Sequence, residues 1–170
     1  GGKTAMTLAL NRAELVKRLV VVDIAPVARE TRLGAFIEAM AEVPLAACDS
    51  RADVEEHLAD VITTPLVRSF LVQNLVREHN AYRWRLNLAA LDAAMEQIAG
   101  FPGAEHRQSY LGPTLFVAGK TSDYIQAHHV PDIIRLFPAA TIAHIPGAGH
   151  WLHAEAPELF LQEVTAFLSA

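Results

Sequence analysis

Apolar positions are distributed along this chain in two different ways. Around Leu19-Val20-Val21-Val22, Thr114-Leu115-Phe116-Val117-Ala118 and Ala140-Thr141-Ile142-Ala143-His144-Ile145 they form short, nearly continuous runs. Runs of this kind, rich in β-branched and aliphatic residues, mark parallel strands covered on both faces. They predict strands at Leu19–Asp23, Thr114–Ala118 and Thr141–Ile145. Elsewhere the spacing is helical. Thr4 to Arg12 fits a buried helix that opens at or before Gly1-Gly2, and His128 to Phe137 places Val130, Ile133, Ile134 and Phe137 on a helix with Pro131-Asp132 near its start. Glu155 to Ser169 sets Phe160, Val164, Phe167 and Leu168 on one face, with Pro157 in the first turn.

From Arg29 to about Gly100 the pattern offers no strand candidate and is dominated by helical spacing. Asp49 or Ser50 can cap a helix through Val54, Leu58 and Ile62, and beyond Pro65 a second helix carries Val67, Phe70, Leu71, Asn74 and Leu75. Tyr82 to Leu88 alternates like a short extended segment. Leu88, Leu91, Met95 and Ile98 then resume helical spacing until Phe101-Pro102-Gly103. Strands alternating with helices predict an α/β fold with a mostly parallel sheet. The expected organisation is a core from 1–28 and 109–170 with a helical insertion over 29–108.

Composition narrows the function. The chain has 170 residues, is 52% hydrophobic and carries a formal charge of -5. That is enough apolar surface for a real core, and without a Lys/Arg cluster it gives no footprint for nucleic acid. The single cysteine, Cys48, rules out an internal disulfide and any cysteine-based zinc site, the usage expected of an intracellular, cytoplasmic protein. No apolar run reaches the length of a membrane span, and the first residues lack a signal-peptide pattern. The chain starts at Gly1-Gly2-Lys3 without an initiator methionine, which reads as a piece of something longer.

The candidate chemistry gathers at strand ends. Ile145-Pro146-Gly147-Ala148-Gly149-His150-Trp151 leaves the last predicted strand, and its glycines allow turns that aim His150 over the end of the sheet, where α/β folds place their sites. Asp23 ends the first predicted strand, and Asp123 follows the second. A histidine held by a buried carboxylate keeps one tautomer and can act as a general base for a nucleophile. His150 and His153 have i, i+3 spacing, but no Cys or carboxylate pair completes a metal set, so neither a metal nor a cofactor is expected. His57, His79, His106, His128, His129 and His144 read as solvated or packed side chains, whereas His153 can line a pocket.

Five stretches together resemble the α/β-hydrolase-fold esterases of the YbfF-like group: Gly1-Gly2-Lys3-Thr4-Ala5-Met6, Val22-Asp23-Ile24-Ala25-Pro26-Val27, Trp84-Arg85-Leu86-Asn87-Leu88, Ser109 to Phe116, and Gly147-Ala148-Gly149-His150-Trp151-Leu152-His153-Ala154. The resemblance implies a carboxylester hydrolase with an eight-stranded sheet and a helical cap, acting on a small-molecule ester or thioester. It implies His150 as catalytic base and a nucleophilic serine on a Gly-x-Ser-x-Gly turn, two positions before Gly1 and so outside these residues. The missing N-terminal half of the fold would then pack against Leu19–Asp23. Many such hydrolases carry the acid at the position of Ser122, but the YbfF-like group resembles a departure that uses the strand-end aspartate, here Asp23. Asp23 is therefore preferred and Asp123 kept as the alternative. The cap would supply an acyl pocket with Phe70, Leu71 and Trp84, together with Trp151 beside the histidine.

Two other functions compete. Gly2-Lys3-Thr4 before a helix matches the end of a phosphate-binding loop, with Val20-Val21-Val22-Asp23 as its partner strand, the pattern of a nucleotide-binding protein. That match covers three residues and leaves the His150 loop unused. A non-catalytic binding member of the hydrolase fold is the other alternative, decided by whether a serine stands two positions before Gly1.

Overall fold

The computed structural model describes residues 1–29, 32–79, 81–102 and 108–170; Gly103 and His106 lie outside them. The chain divides into two compact units, Gly1–Ala28 with Gly100–Ala170, and Arg29–Ala99. Residues from Gly100 onward thus go with the first unit, whereas the insertion was expected to run to residue 108.

The first unit opens with helix α1 (Gly2–Asn11) and strand β1 (Leu19–Val22). In the second unit come α2 (Leu33–Glu42), α3 (Arg51–His57), α4 (Pro65–Val72), strands β2 (Leu75–Glu78) and β3 (Ala81–Trp84), α5 (Leu88–Ala93) and α6 (Met95–Ala99). The first unit then resumes with β4 (Thr114–Gly119), α7 (Val130–Leu136), β5 (Ala140–Ile145), α8 (Leu152–Glu155) and α9 (Pro157–Ser169).

In the first unit β1, β4 and β5 form a parallel sheet in the order β1-β4-β5. Every residue of β4 is buried, as a central strand covered on both faces requires. Side chains alternate across it. Val21, Phe116 and Ala118 meet Met6 and Ala9 of α1 and Ile133, Leu136 and Phe137 at α7, while Leu115, Val117 and Ile145 meet Ala148 and Leu152, with Phe160, Val164 and Phe167 of α9 packed against them. Leu168, expected on that inner face, is instead 54% exposed. The helix also starts later than its pattern suggested: Ala156, before Pro157, has φ -141° and ψ 62°, and the residue before a proline avoids helical geometry, so α8 and α9 are separate. Tyr110 donates its hydroxyl to the Val16 carbonyl at 2.8 Å and packs edge-on to Phe137, joining the segment before β4 to the one before β1.

In the second unit, Met40, Val43, Cys48, Val54, Leu58, Ile62, Val72 and Leu75 make a separate core. Ser50 caps α3 through a capping box with Asp53, its hydroxyl accepting the Asp53 N–H while the Asp53 carboxylate accepts the Ser50 N–H. The hairpin β2–β3 corrects the sequence reading, which ran a helix through Leu75 and counted no strand in this stretch, although β3 overlaps the start of the extended segment read from Tyr82 to Leu88. Leu71 and Leu75 fit a helical period, but α4 ends at Val72, and the Asn74 side-chain amide donates to the Leu71 carbonyl at its end. Leu75 then reaches the same core from an antiparallel strand, opposite Trp84.

Candidate active site

Asp23 closes β1 in a backbone geometry that few side chains adopt, with φ 46°. Its backbone N–H donates to the Val117 carbonyl at 2.8 Å, so the sheet ladder holds the residue in that left-handed turn. The side chain is fully buried, and each carboxylate oxygen is satisfied. Oδ1 accepts the Gly119 N–H at 3.0 Å from the end of β4, and Oδ2 accepts the Ser122 hydroxyl at 2.5 Å. Oδ2 also lies 2.8 Å from His150 Nδ1. Burying a carboxylate is costly unless its oxygens are hydrogen-bonded, and these donors meet that requirement.

His150 reaches this carboxylate on a loop strapped from two sides. Gly147, at φ 73°, takes the turn out of β5. The Thr121 hydroxyl and N–H both donate to the Ala148 carbonyl, at 2.9 and 3.0 Å. Glu155 of α8 accepts the N–H of Gly149 at 2.6 Å and that of Trp151 at 3.2 Å, gripping the backbone on either side of His150. The imidazole stacks on Tyr124, centroids 3.7 Å apart and planes 13° from parallel, and keeps 43% of its side-chain surface exposed. One edge of the ring is anchored on a buried carboxylate and one face is covered by Tyr124, while part of the ring stays open.

The structure therefore brings Asp23 and His150 together, although 127 positions separate them in sequence. Asp123 is exposed on the loop between Ser122 and Tyr124; the carboxylate on the imidazole is that of Asp23. Trp151 is half-buried, its ring 6.5 Å from that of His153. Phe70 lies on α4 with 52% of its surface exposed, and Leu71 packs on the core of its own unit. Trp84 belongs to that core as well, its indole N–H donating to the Met40 carbonyl at 2.8 Å. The rings of His128 and His129 meet at a tilt of 55° with centroids 3.9 Å apart, and His129 Nδ1 accepts the Gln126 N–H. Lys3, at the head of the phosphate-loop match, donates to the Gly100 carbonyl at 2.9 Å.

Sequence reasoning missed Ser122, Tyr124, Thr121 and Glu155 as parts of this arrangement. Each acts through a hydroxyl, a ring face or a carboxylate on a loop or short helix, where no periodicity marks it. A cleft of about 440 Å³ beside β4 and β5 is lined by Lys120, Ser122, Ile125, Gln126 and His144, among others, but by neither Asp23 nor His150.

A parallel sheet with a strand-end aspartate and a loop histidine in hydrogen-bond contact fits the class of α/β hydrolases. Residues 1–163 match the alpha/beta hydrolase family, and the chain belongs to it. It is 45% identical to the sn-1-specific diacylglycerol lipase ABHD11 of Mus musculus over 99% of this chain and 56% of that protein. It is 30% identical to esterase YbfF of Escherichia coli (strain K12), over 99% of this chain and 64% of that one. Among solved structures, a marine microorganism esterase superposes with a TM-score of 0.91 at 33% identity, covering 98% of this chain and 66% of that chain. The chain thus spans roughly half to two thirds of the relatives it matches. No helix among the described residues is long and apolar enough to cross a membrane.

Proposed function

We propose that these residues belong to a carboxylester hydrolase in which His150 is the general base and Asp23 orients it. The carrying observation is the 2.8 Å contact between Asp23 Oδ2 and His150 Nδ1, with the aspartate buried and the imidazole open. A carboxylate only accepts, so Nδ1 carries the proton and the lone pair falls on Nε2. In this reading the nucleophile is a serine outside the 170 residues, two positions before Gly1, on the turn that enters α1. Its oxygen attacks the ester carbonyl while Nε2 takes its proton; the tetrahedral adduct collapses, and the departing alcohol receives that proton from Nε2. Water then enters by the same route and releases the acid from the acyl-enzyme. The esterase and lipase names of the relatives support an ester, or a thioester, of a small molecule as substrate. The remaining part of the fold, N-terminal to Gly1, would pair with β1.

The test uses the full-length protein with p-nitrophenyl esters and a fluorophosphonate that labels activated serines. The reading expects turnover, and label on the serine two positions before Gly1, both suppressed in His150→Ala. Near-normal turnover by His150→Ala would sink the mechanism, and a residue other than serine at that position would leave a binding module.

A further inference from the structure

Three residues around the imidazole close a circuit with it. His150 Nδ1 donates to Asp23 Oδ2; that oxygen also accepts the Ser122 hydroxyl; the Ser122 oxygen accepts the Tyr124 N–H at 3.2 Å; and the Tyr124 ring lies flat on the His150 ring. The Ser122 hydroxyl has one proton and gives it to the carboxylate, so Ser122 is not an attacking group here. It ties the loop after β4 to the acid, and the tie sets the backbone from which Tyr124 projects.

A single hydrogen bond at Nδ1 fixes one point of an imidazole and leaves the plane of the ring free to rock about it. Rocking carries Nε2, on the far side of the ring, through the largest arc. A second ring at stacking distance, nearly parallel, removes that freedom. We propose that Tyr124 is a positioning residue for His150: its ring sets the plane of the imidazole, and Ser122 locks the Tyr124 loop to the same carboxylate that holds Nδ1. The proposal rests on His150 acting as general base. Displacing a catalytic group by about 1 Å can cost about a hundredfold in rate, so a constraint on the ring plane is a constraint on turnover.

The ionisable groups on the elements around His150 are Asp23 after β1, Lys120, Asp123 and Tyr124 after β4, and His153 and Glu155 on α8. Asp23 makes the hydrogen bond to the ring, and Glu155 grips the flanking backbone. The ring of Tyr124, rather than its hydroxyl, is the feature tested.

In the full-length protein, kcat and KM for p-nitrophenyl butyrate are measured for Tyr124→Phe, Tyr124→Leu and Ser122→Ala, together with the low-field proton resonance of the His150 Nδ1–H. Tyr124→Leu is expected to lower kcat by about ten- to a hundredfold with KM within about twofold, the mark of a lost transition-state arrangement rather than of lost binding. Its Nδ1–H resonance should broaden. Tyr124→Phe keeps the ring, and should retain both the sharp resonance and kcat within about threefold. Ser122→Ala should fall between the two. If Tyr124→Leu does not fold, Tyr124→Gln gives the same comparison. Loss of activity in Tyr124→Phe as deep as in Tyr124→Leu, or a raised KM at unchanged kcat, overturns the proposal. A wild-type protein that turns over no ester defeats the hydrolase reading instead, while the resonance still reports whether Tyr124 holds the imidazole.

Discussion

A Cβ on Gly119 would stand 2.1 Å from the carbonyl oxygen of Gly149. The end of β4 and the loop bearing His150 approach so closely that only a hydrogen fits, and the obstacle is backbone, which cannot swing aside. Gly119 also donates its N–H to Asp23 Oδ1. One residue thus touches both sides of the candidate pair. Gly119→Ala should push the His150 loop away and lower both thermal stability and ester turnover, by about tenfold or more in turnover. Melting curves and p-nitrophenyl ester assays check it; wild-type values for both would show that the loop yields without cost.

Asp23→Asn keeps the shape of the acid but can present an amide N–H to Nδ1 and favour the wrong tautomer. In a serine protease the equivalent change costs about ten-thousandfold. Asp23→Asn and His150→Ala should each depress hydrolysis severely, with Asp123→Asn mild. Steady-state rates on one ester decide it, and a severe loss in Asp123→Asn with an active Asp23→Asn would move the acid to Asp123.

The Asp53 carboxyl is held below its usual range by the Ser50 hydroxyl first, then by the N–H groups of Ser50 and Asp49. A group whose folded value is lowered adds stability above its unfolded value and loses it as pH falls through the folded one. The difference in melting temperature between the wild type and Asp53→Asn should therefore be full near neutral pH. It should shrink on acidification through and below the ordinary aspartate value of about 3.9. A difference independent of pH would mean that the capping box contributes through shape rather than charge.

Cys48 is 6% exposed, with its thiol directed at the Pro44 carbonyl 3.5 Å away. Burial first, and then the charges of Asp53 and Asp49, push its pKa up, so the reactive thiolate is scarcer than in a free cysteine. Labelling by a disulfide reagent near pH 8 should be slower in the native protein than in denaturant by about tenfold or more. Equal rates would contradict the burial.

Two of the candidate pocket residues should separate by what they lose. Trp84→Phe strips the hydrogen bond to Met40 and should cost about 1 kcal/mol of stability, whereas exposed Phe70→Ala should stay within about 0.5 kcal/mol. If Phe70 lines the acyl pocket, its substitution shifts the preferred acyl length instead. Melting curves and a series of p-nitrophenyl esters read the two effects separately.

How much of this was legible in the sequence follows from the physics of each element. The three parallel strands were, because burial on both faces writes itself as an unbroken apolar run: Leu19–Val22, Thr114–Gly119 and Ala140–Ile145 all lie where the pattern put them, within a residue. The first strand of the hairpin was not, because Leu75 serves the same core from a strand as it would from a helix. Asp23 and His150 could be singled out as strand-end residues with glycine or proline nearby. The left-handed φ of Asp23, the hydroxyl of Ser122 and the carboxylate of Glu155 left no trace, since each depends on a partner that the fold alone brings near.

The first unit is assembled from two stretches of chain with the whole of Arg29–Ala99 between them. As the polypeptide leaves the ribosome, β1 emerges well before β4, its parallel partner, while the intervening residues have a core of their own to collapse around. Leu19-Val20-Val21-Val22 therefore passes through an interval in which its backbone groups have no strand from this unit to pair with, the condition under which chaperones and aggregation compete for a chain. The contact between Asp23 and His150 comes later still, when the last loop and α8 arrive. In a nascent chain it would report that the loop after β5 has found the end of β1.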